Sequence, residues 1–143
     1  MRRTEIVIDT CVVAAALRSR RGASFRLLTL VGVSPRFRIH LSVPLALEYE
    51  DVGKRHGPEI GLTDEEIDAV VDYLCSQAER HVIFYLWRPF LKDPGDDMVL
   101  ELAVEAGCDI IVTFNRRDFA GASQFGIRVL TPAEFLEEIG ELS

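Results

Sequence analysis

Residues that cross-link or anchor a chain are scarce in this sequence. Cysteine occurs three times, at Cys11, Cys75 and Cys108, with no CxxC spacing. That odd, scattered set supports neither a disulfide framework nor a structural zinc site, so the thiols are expected to be reduced and mostly buried. Histidine is equally sparse, and His40, His56 and His81 have no metal-ligand spacing. No apolar run approaches the roughly 18 residues of a membrane span. Met1-Arg2-Arg3 leads into a strand-like segment, not into the apolar stretch of about 7–15 residues that marks a secretory signal. A cytosolic protein is expected. Internal repeats and low-complexity tracts are absent. Basic residues are outnumbered 16 to 23, for a net charge of -7, which on average disfavours a nucleic-acid partner. Their distribution qualifies this. Residues 1–40 hold Arg2, Arg3, Arg18, Arg20, Arg21, Arg26, Arg36 and Arg38 against Glu5 and Asp9, while the remainder carries 8 basic and 21 acidic residues. That asymmetry allows a basic face beside an acidic one, or simply solvated helix faces.

What is present fits one domain spanning residues 1–143, with 48% apolar residues to fill a core. Thr4-Glu5-Ile6-Val7-Ile8-Asp9-Thr10 is a β-branched run that ends in a carboxylate. It reads as a buried parallel strand with an acid at its C-terminal tip, where sites form in open α/β sheets. Val12–Leu17 suggests a tight helical turn, broken by Ser19-Arg20-Arg21-Gly22. A helix is expected over 23–31 and a strand over 37–41. Ser42 then caps a helix with Pro44 in its first turn, on which Glu50 pairs with Lys54 and Asp51 with Arg55 at i,i+4, leaving Glu48 unused. Thr63-Asp64-Glu65-Glu66 is a capping box for a helix over 64–79. His81–Trp87 is β-prone, and Pro89 and Pro94 bracket a loop that delivers Asp93, Asp96 and Asp97. From Asp96 to Gly107 a largely buried helix is expected, with Met98, Val99, Leu102, Ala103 and Ala106 inward and Glu101 and Glu105 outward. Strands over 109–113 and 127–130 and a final helix capped by Thr131 complete the chain. Strands alternating with helices predict an α/β fold: a three-layer α/β/α arrangement with a central parallel sheet of about 4–5 strands.

Asp9, Glu48, Asp96, Asn115 and Asp118 all fall where this architecture gathers ligands, and all are hard oxygen donors. Carboxylates converging without Lys or Arg repel one another, and a divalent cation removes that cost most simply. A water bound to Mg²⁺ or Mn²⁺ can attack a phosphodiester. Each residue also has an ordinary structural role. Asp93 and Asp96 suit a helix cap, Glu48 suits a solvated helix face, and Asn115 and Asp118 suit a turn. Cys11, beside Asp9, lacks a sequence-near His and reads as core, not nucleophile.

At these residues the sequence resembles a known family. Ile6-Val7-Ile8-Asp9-Thr10, Ser42 to Glu48, Asp93-Pro94-Gly95-Asp96-Asp97 with Leu100-Glu101-Leu102-Ala103, and Val112-Thr113-Phe114-Asn115-Arg116-Arg117-Asp118-Phe119 look like the ordered motifs of PIN domains. The nearest branch is the toxins of toxin–antitoxin systems, similar in architecture to VapC-type toxins. The resemblance implies a Mg²⁺- or Mn²⁺-dependent ribonuclease that prefers single strands, is inhibited by a cognate antitoxin, and is often a homodimer. It matches Asp9, Glu48 and Asp96 to the family's three principal acids, with Asp97 as the alternate metal ligand for the third. Asn115 stands where many members have Asp, and an acid follows at Asp118 after Arg116 and Arg117, which are expected near RNA phosphates. The substitution of Asn keeps a second reading open, a catalytically weak PIN-like module that binds RNA or a protein partner. A phosphorylatable receiver domain also carries an acidic pocket on an α/β sheet, but it needs a late lysine, and no Lys follows Lys92.

Overall fold

The computed structural model describes residues 2–82 and 94–141. The elements in chain order are β1 (Thr4–Ile8), α1 (Thr10–Arg18), α2 (Ala23–Leu30), β2 (Phe37–Ser42), α3 (Val43–Ile60), α4 (Asp64–Gln77), β3 (Glu79–His81), α5 (Pro94–Glu105), β4 (Ile110–Val112), β5 (Arg128–Leu130) and α6 (Pro132–Glu138). Two 3-10 turns, Arg116–Phe119 and Ala122–Phe125, lie between β4 and β5.

All five strands are parallel, in the order β3-β2-β1-β4-β5. Ile6, Val7 and Ile8 of the central strand β1 are essentially inaccessible, each contributing about 1.5–3 kcal/mol of burial. A β-branched run buried on both faces is what a middle parallel strand requires. The chain leaves β1 toward β2 and β3, then returns on the other side to β4 and β5. Right-handed crossovers therefore place α1 to α4 on one face and α5 on the other. Contacts agree with this: α5 packs on β1, β2 and β4, while α1, α2 and α3 pack on one another and α6 joins α2. Phe37 of β2 meets Phe135 of α6 edge to face, with ring centroids 5.4 Å apart. By strand alternation, Phe37, Ile39 and Leu41 then face the α6 layer, and Arg38 and His40 face the α5 layer.

The three-layer expectation holds, and both capping boxes form as read, Thr63 with Glu66 and Thr131 with Glu134. Three local readings differ. Helix α1 is nine residues long, not a tight turn, because Asp9 itself caps it and starts it at Thr10. Strand β3 spans Glu79–His81, starting at the last residue of the helix expected over 64–79; residues 83–87 of the β-prone stretch, a short strand or extended connection by sequence, lie outside the described residues. Glu101, expected outward, is 8% exposed; Leu100 to Ala103 are all buried, so this part of α5 is enclosed on every side.

One long-range bond ties the helical layer to β1: the buried Tyr49 hydroxyl on α3 donates to the carbonyl of Ile8, immediately before Asp9. Tyr49→Phe removes that donor without changing shape. It is expected to cost about 1–3 kcal/mol, read as a lower urea midpoint with an unchanged slope; an unchanged midpoint would show that the bond carries no net stability.

Candidate active site

The strand order reverses between β1 and β4, and at that switch point the C-terminal ends of the two strands open a crevice. Asp9 sits at the tip of β1 and is 6% exposed. Its backbone N–H donates to the Val112 carbonyl of β4 (2.9 Å). Its carboxylate is held from several sides. Oδ1 accepts from the Thr10 N–H (2.9 Å), which caps α1. Oδ2 accepts from the Thr113 hydroxyl (2.7 Å) and weakly from the Cys11 thiol (3.5 Å). Thr113 is fully buried, and its oxygen in turn accepts from the Asn115 N–H (3.0 Å).

Glu48 arrives from α3. Its Oε1 accepts from the Thr10 hydroxyl at 2.6 Å, so one threonine ties the acid at the end of β1 to the acid on α3. Among the described residues neither Asp9 nor Glu48 has a Lys or Arg partner. Their uncompensated charge is felt next door. Burial first, then the charges of Asp9 and Glu48, push the Tyr49 hydroxyl well above its ordinary range. The same logic keeps Cys11 a thiol: burial, followed by the Asp9 charge, raises it above the ordinary thiol value.

The remaining expected site residues are placed as follows. Asp96 and Asp97 occupy the first turn of α5, the helix that packs on β1 and β4, and both are engaged in interactions. Asp93 lies outside the described residues. Asn115 and Asp118 are exposed in the turn after β4, where the Asp118 N–H donates to the Asn115 carbonyl (2.9 Å). Arg116 pairs with Glu134 of α6 (2.8 Å), and Arg117 is exposed. Among the described residues, no three His, Cys, Asp or Glu side chains stand close enough together to hold a metal ion. Asp9 and Glu48 are thus the pair that Thr10 ties together, while Asp96 and Asp97 stand in the first turn of α5. The donor set suits a hard cation: carboxylate oxygens without a basic counter-charge, in a number that Mg²⁺ accepts when it keeps several waters.

The sequence did not point to Thr10 and Thr113 as the groups that orient these acids. An alcohol beside a strand end has no spacing signature, and β-branched Thr is ordinary in a strand.

A family model for the PIN domain matches residues 5–117. The chain belongs to the PIN domain family. Among solved structures, its fold is similar to that of a chain in the crystal structure of VapBC2 from Rickettsia felis bound to a DNA fragment from their promoter. That match has a TM-score of 0.55 and 12% identity, covering 90% of this chain and 98% of that one. None of the curated proteins matches the chain.

In this PIN domain Thr113→Val leaves Asp9 Oδ2 without its closest donor and strands the Asn115 N–H. Because the acceptor is a carboxylate, the loss is expected to reach about 1.5–3 kcal/mol, while Thr113→Ser retains most of it. Thermal or urea unfolding of the two variants checks this, and a Val variant no less stable than the Ser variant would show that the hydroxyl's bonds carry no net stability.

Proposed function

We propose that the protein is a metal-dependent endoribonuclease acting on single-stranded RNA, the toxin of a type II toxin–antitoxin pair. One observation carries the reading. Two carboxylates without basic partners among the described residues, Asp9 and Glu48, are held together by Thr10 at the C-terminal edge of the central strand. A structural acid in such a place is normally neutralised by a Lys or Arg. Membership of the PIN family and the order of the motifs support the same assignment.

Under this reading Asp9 and Glu48 hold Mg²⁺ or Mn²⁺ directly or through water, and Asp96, or Asp97 one position on, adds a carboxylate from α5. The bound ion supplies Lewis-acid polarisation of the phosphate and a water acidified enough to attack it. The chain's own groups do the positioning. Thr113 and the Thr10 N–H fix the two oxygens of Asp9, and the Thr10 hydroxyl fixes Oε1 of Glu48. Asn115 and Asp118 complete the rim, where an amide carbonyl can accept from a water without adding charge. Arg117 meets RNA phosphates; Arg116 does so on leaving Glu134. The fold shared with VapBC2 supports a cognate antitoxin as protein partner. A homodimer and a cytoplasmic setting belong to the same proposal. No helix among the described residues is long and apolar enough to cross a membrane.

The exposed Asn115, where many relatives have Asp, favours a second reading, a PIN module that binds RNA or protein and cleaves little. One assay separates the two. Mixed-sequence single-stranded RNA is incubated with the protein in Mn²⁺, in Mg²⁺ and in EDTA, alongside Glu48→Gln. The nuclease reading expects cleavage that EDTA abolishes and that Glu48→Gln lowers at least 100-fold, on the order of what removing a group that orients the reacting atoms costs. RNA retained on the protein but uncut in every metal would establish the binding module.

A further inference from the structure

On the α5 face of the sheet lies a second polar chain that the nuclease reading does not use. Glu5 of β1, His40 of β2 and His81 of β3 are bonded side by side across three adjacent strands. His40 is 3% exposed. Its Nε2 is 2.7 Å from Glu5 Oε1, its Nδ1 is 2.7 Å from His81 Nε2, and the two rings meet edge to edge, with centroids 5.0 Å apart and planes inclined by 29°. Arg38 donates to the same Glu5 oxygen (2.8 Å) and reaches Glu79 of β3 at 3.5 Å.

The protons in this chain can be counted. Burial raises the Glu5 carboxyl, but hydrogen bonds and charges from Arg38 and His40 together outweigh it and hold the group below its usual value. Glu5 is therefore an ionised acceptor, and His40 Nε2 must carry a hydrogen. His40 Nδ1 and His81 Nε2 then share a single hydrogen, which sits on His81 when both rings are neutral. One further proton is tolerated, because the shared hydrogen can belong to either ring. A second is not: two N–H groups would meet head-on across 2.7 Å between two cations. Of the two strands joined, β2 is interior, whereas β3 is a three-residue strand that, among the described residues, lies at the sheet edge and pairs with β2 alone. The edge is what can give way.

We propose that His40 and His81 form an acid-sensitive latch, fastening edge strand β3 to the sheet through one shared hydrogen and releasing it when both rings are protonated. Among the described residues, charged and titratable groups surround the latch: Glu5 from β1, Arg38 from β2, Glu79 from β3, Glu105 from α5, and Cys108 and Asp109 ahead of β4. Cys108 stays a neutral thiol, pushed up to about 12 by burial and then by Glu5 and Asp109. For His81, burial comes first and the His40 charge second in disfavouring the proton; Arg38 adds to them, Glu79 and Glu105 oppose them, and the ring falls below its ordinary 6.5. A base whose folded value is depressed binds its proton more readily once released. The fastening is therefore complete above about pH 6.5 and is lost as pH falls below it. The latch borders both site-bearing elements. His81 pairs with Ser42, the cap of the helix that carries Glu48, and α5 with Asp96 and Asp97 is the next described helix after β3. The inference does not depend on catalysis and is tested without it.

Backbone hydrogen exchange is followed from pH 8 to pH 5, corrected for the intrinsic rate. Amides of residues 79–81 are expected to show a constant opening equilibrium above about pH 6.5 and a rise approaching tenfold per pH unit below it, the signature of one linked proton. Amides of β1 and β4 stay flat. In His81→Gln, whose side-chain amide still donates to His40 Nδ1, the rise disappears. Histidine nitrogen spectra are expected to show neutral His40 and His81, both protonated at Nε2, at pH 8, and two imidazolium rings only when β3 has opened. A flat profile in the parent, the same rise in His81→Gln, or two imidazolium rings with β3 still protected would each overturn the latch. Should His81→Gln fail to fold, the parent's exchange and spectra decide alone.

Discussion

A negative charge at the end of a buried hydrophobic strand is the constraint around which this domain is arranged. Ile6, Val7 and Ile8 fill the middle of the sheet, and the next residue is Asp9. Left in that position without donors, a carboxylate would cost several kcal/mol. The fold supplies the donors locally, turning the chain straight into α1 so that the Thr10 N–H meets Oδ1, and bringing Thr113 from β4 to Oδ2. Hydrogen bonds satisfy the acid without cancelling its charge. A site built this way keeps its field available for a cation, whereas a lysine in the same place would have consumed it.

The same contrast runs through the rest of the surface. Among the described residues, arginines at the sheet's periphery are matched to acids: Arg2 to Asp109, Arg38 to Glu5 and Glu79, Arg116 to Glu134, Arg128 to Glu138. Of the eight arginines in the first 40 residues, Arg2, Arg26 and Arg38 are the ones that meet acids among the described residues, and such exposed pairs add little stability. At the tip of β1 and on α3 beside it, by contrast, two neighbouring acids share a threonine and, among the described residues, have no basic partner.

Much of this was legible in the sequence because it rests on local rules. The β-branched run before Asp9 predicts a central parallel strand, the Thr-x-x-Glu boxes predict two helix starts, and Glu48 stands out because Glu50 and Asp51 already have i,i+4 partners in Lys54 and Arg55. What stayed hidden depends on distant pairing or on packing. Thr113 meets Asp9 across 104 residues and His40 meets His81 across 41, distances at which no periodicity speaks. Glu101 follows an outward helical period, yet the sheet and its neighbours enclose it. The beginning of α1 was obscured for a different reason: Asp9 is at once strand end, helix cap and candidate ligand, and reading it as a ligand masked its work as a cap.

Asp9 and Glu48, without a basic partner among the described residues, are proposed to be held for a divalent cation. Thermal unfolding of the parent and of Asp9→Asn, each in EDTA and in millimolar Mn²⁺, addresses this most directly, since a ligand bound only by the native state raises its stability by mass action. Asparagine keeps the helix cap, so both proteins should fold. Mn²⁺ is expected to raise the melting temperature of the parent by several degrees, with roughly 1 kcal/mol corresponding to about 2–8 °C, and to leave Asp9→Asn nearly unmoved. A parent indifferent to Mn²⁺, or an equal shift in both proteins, would contradict the proposal.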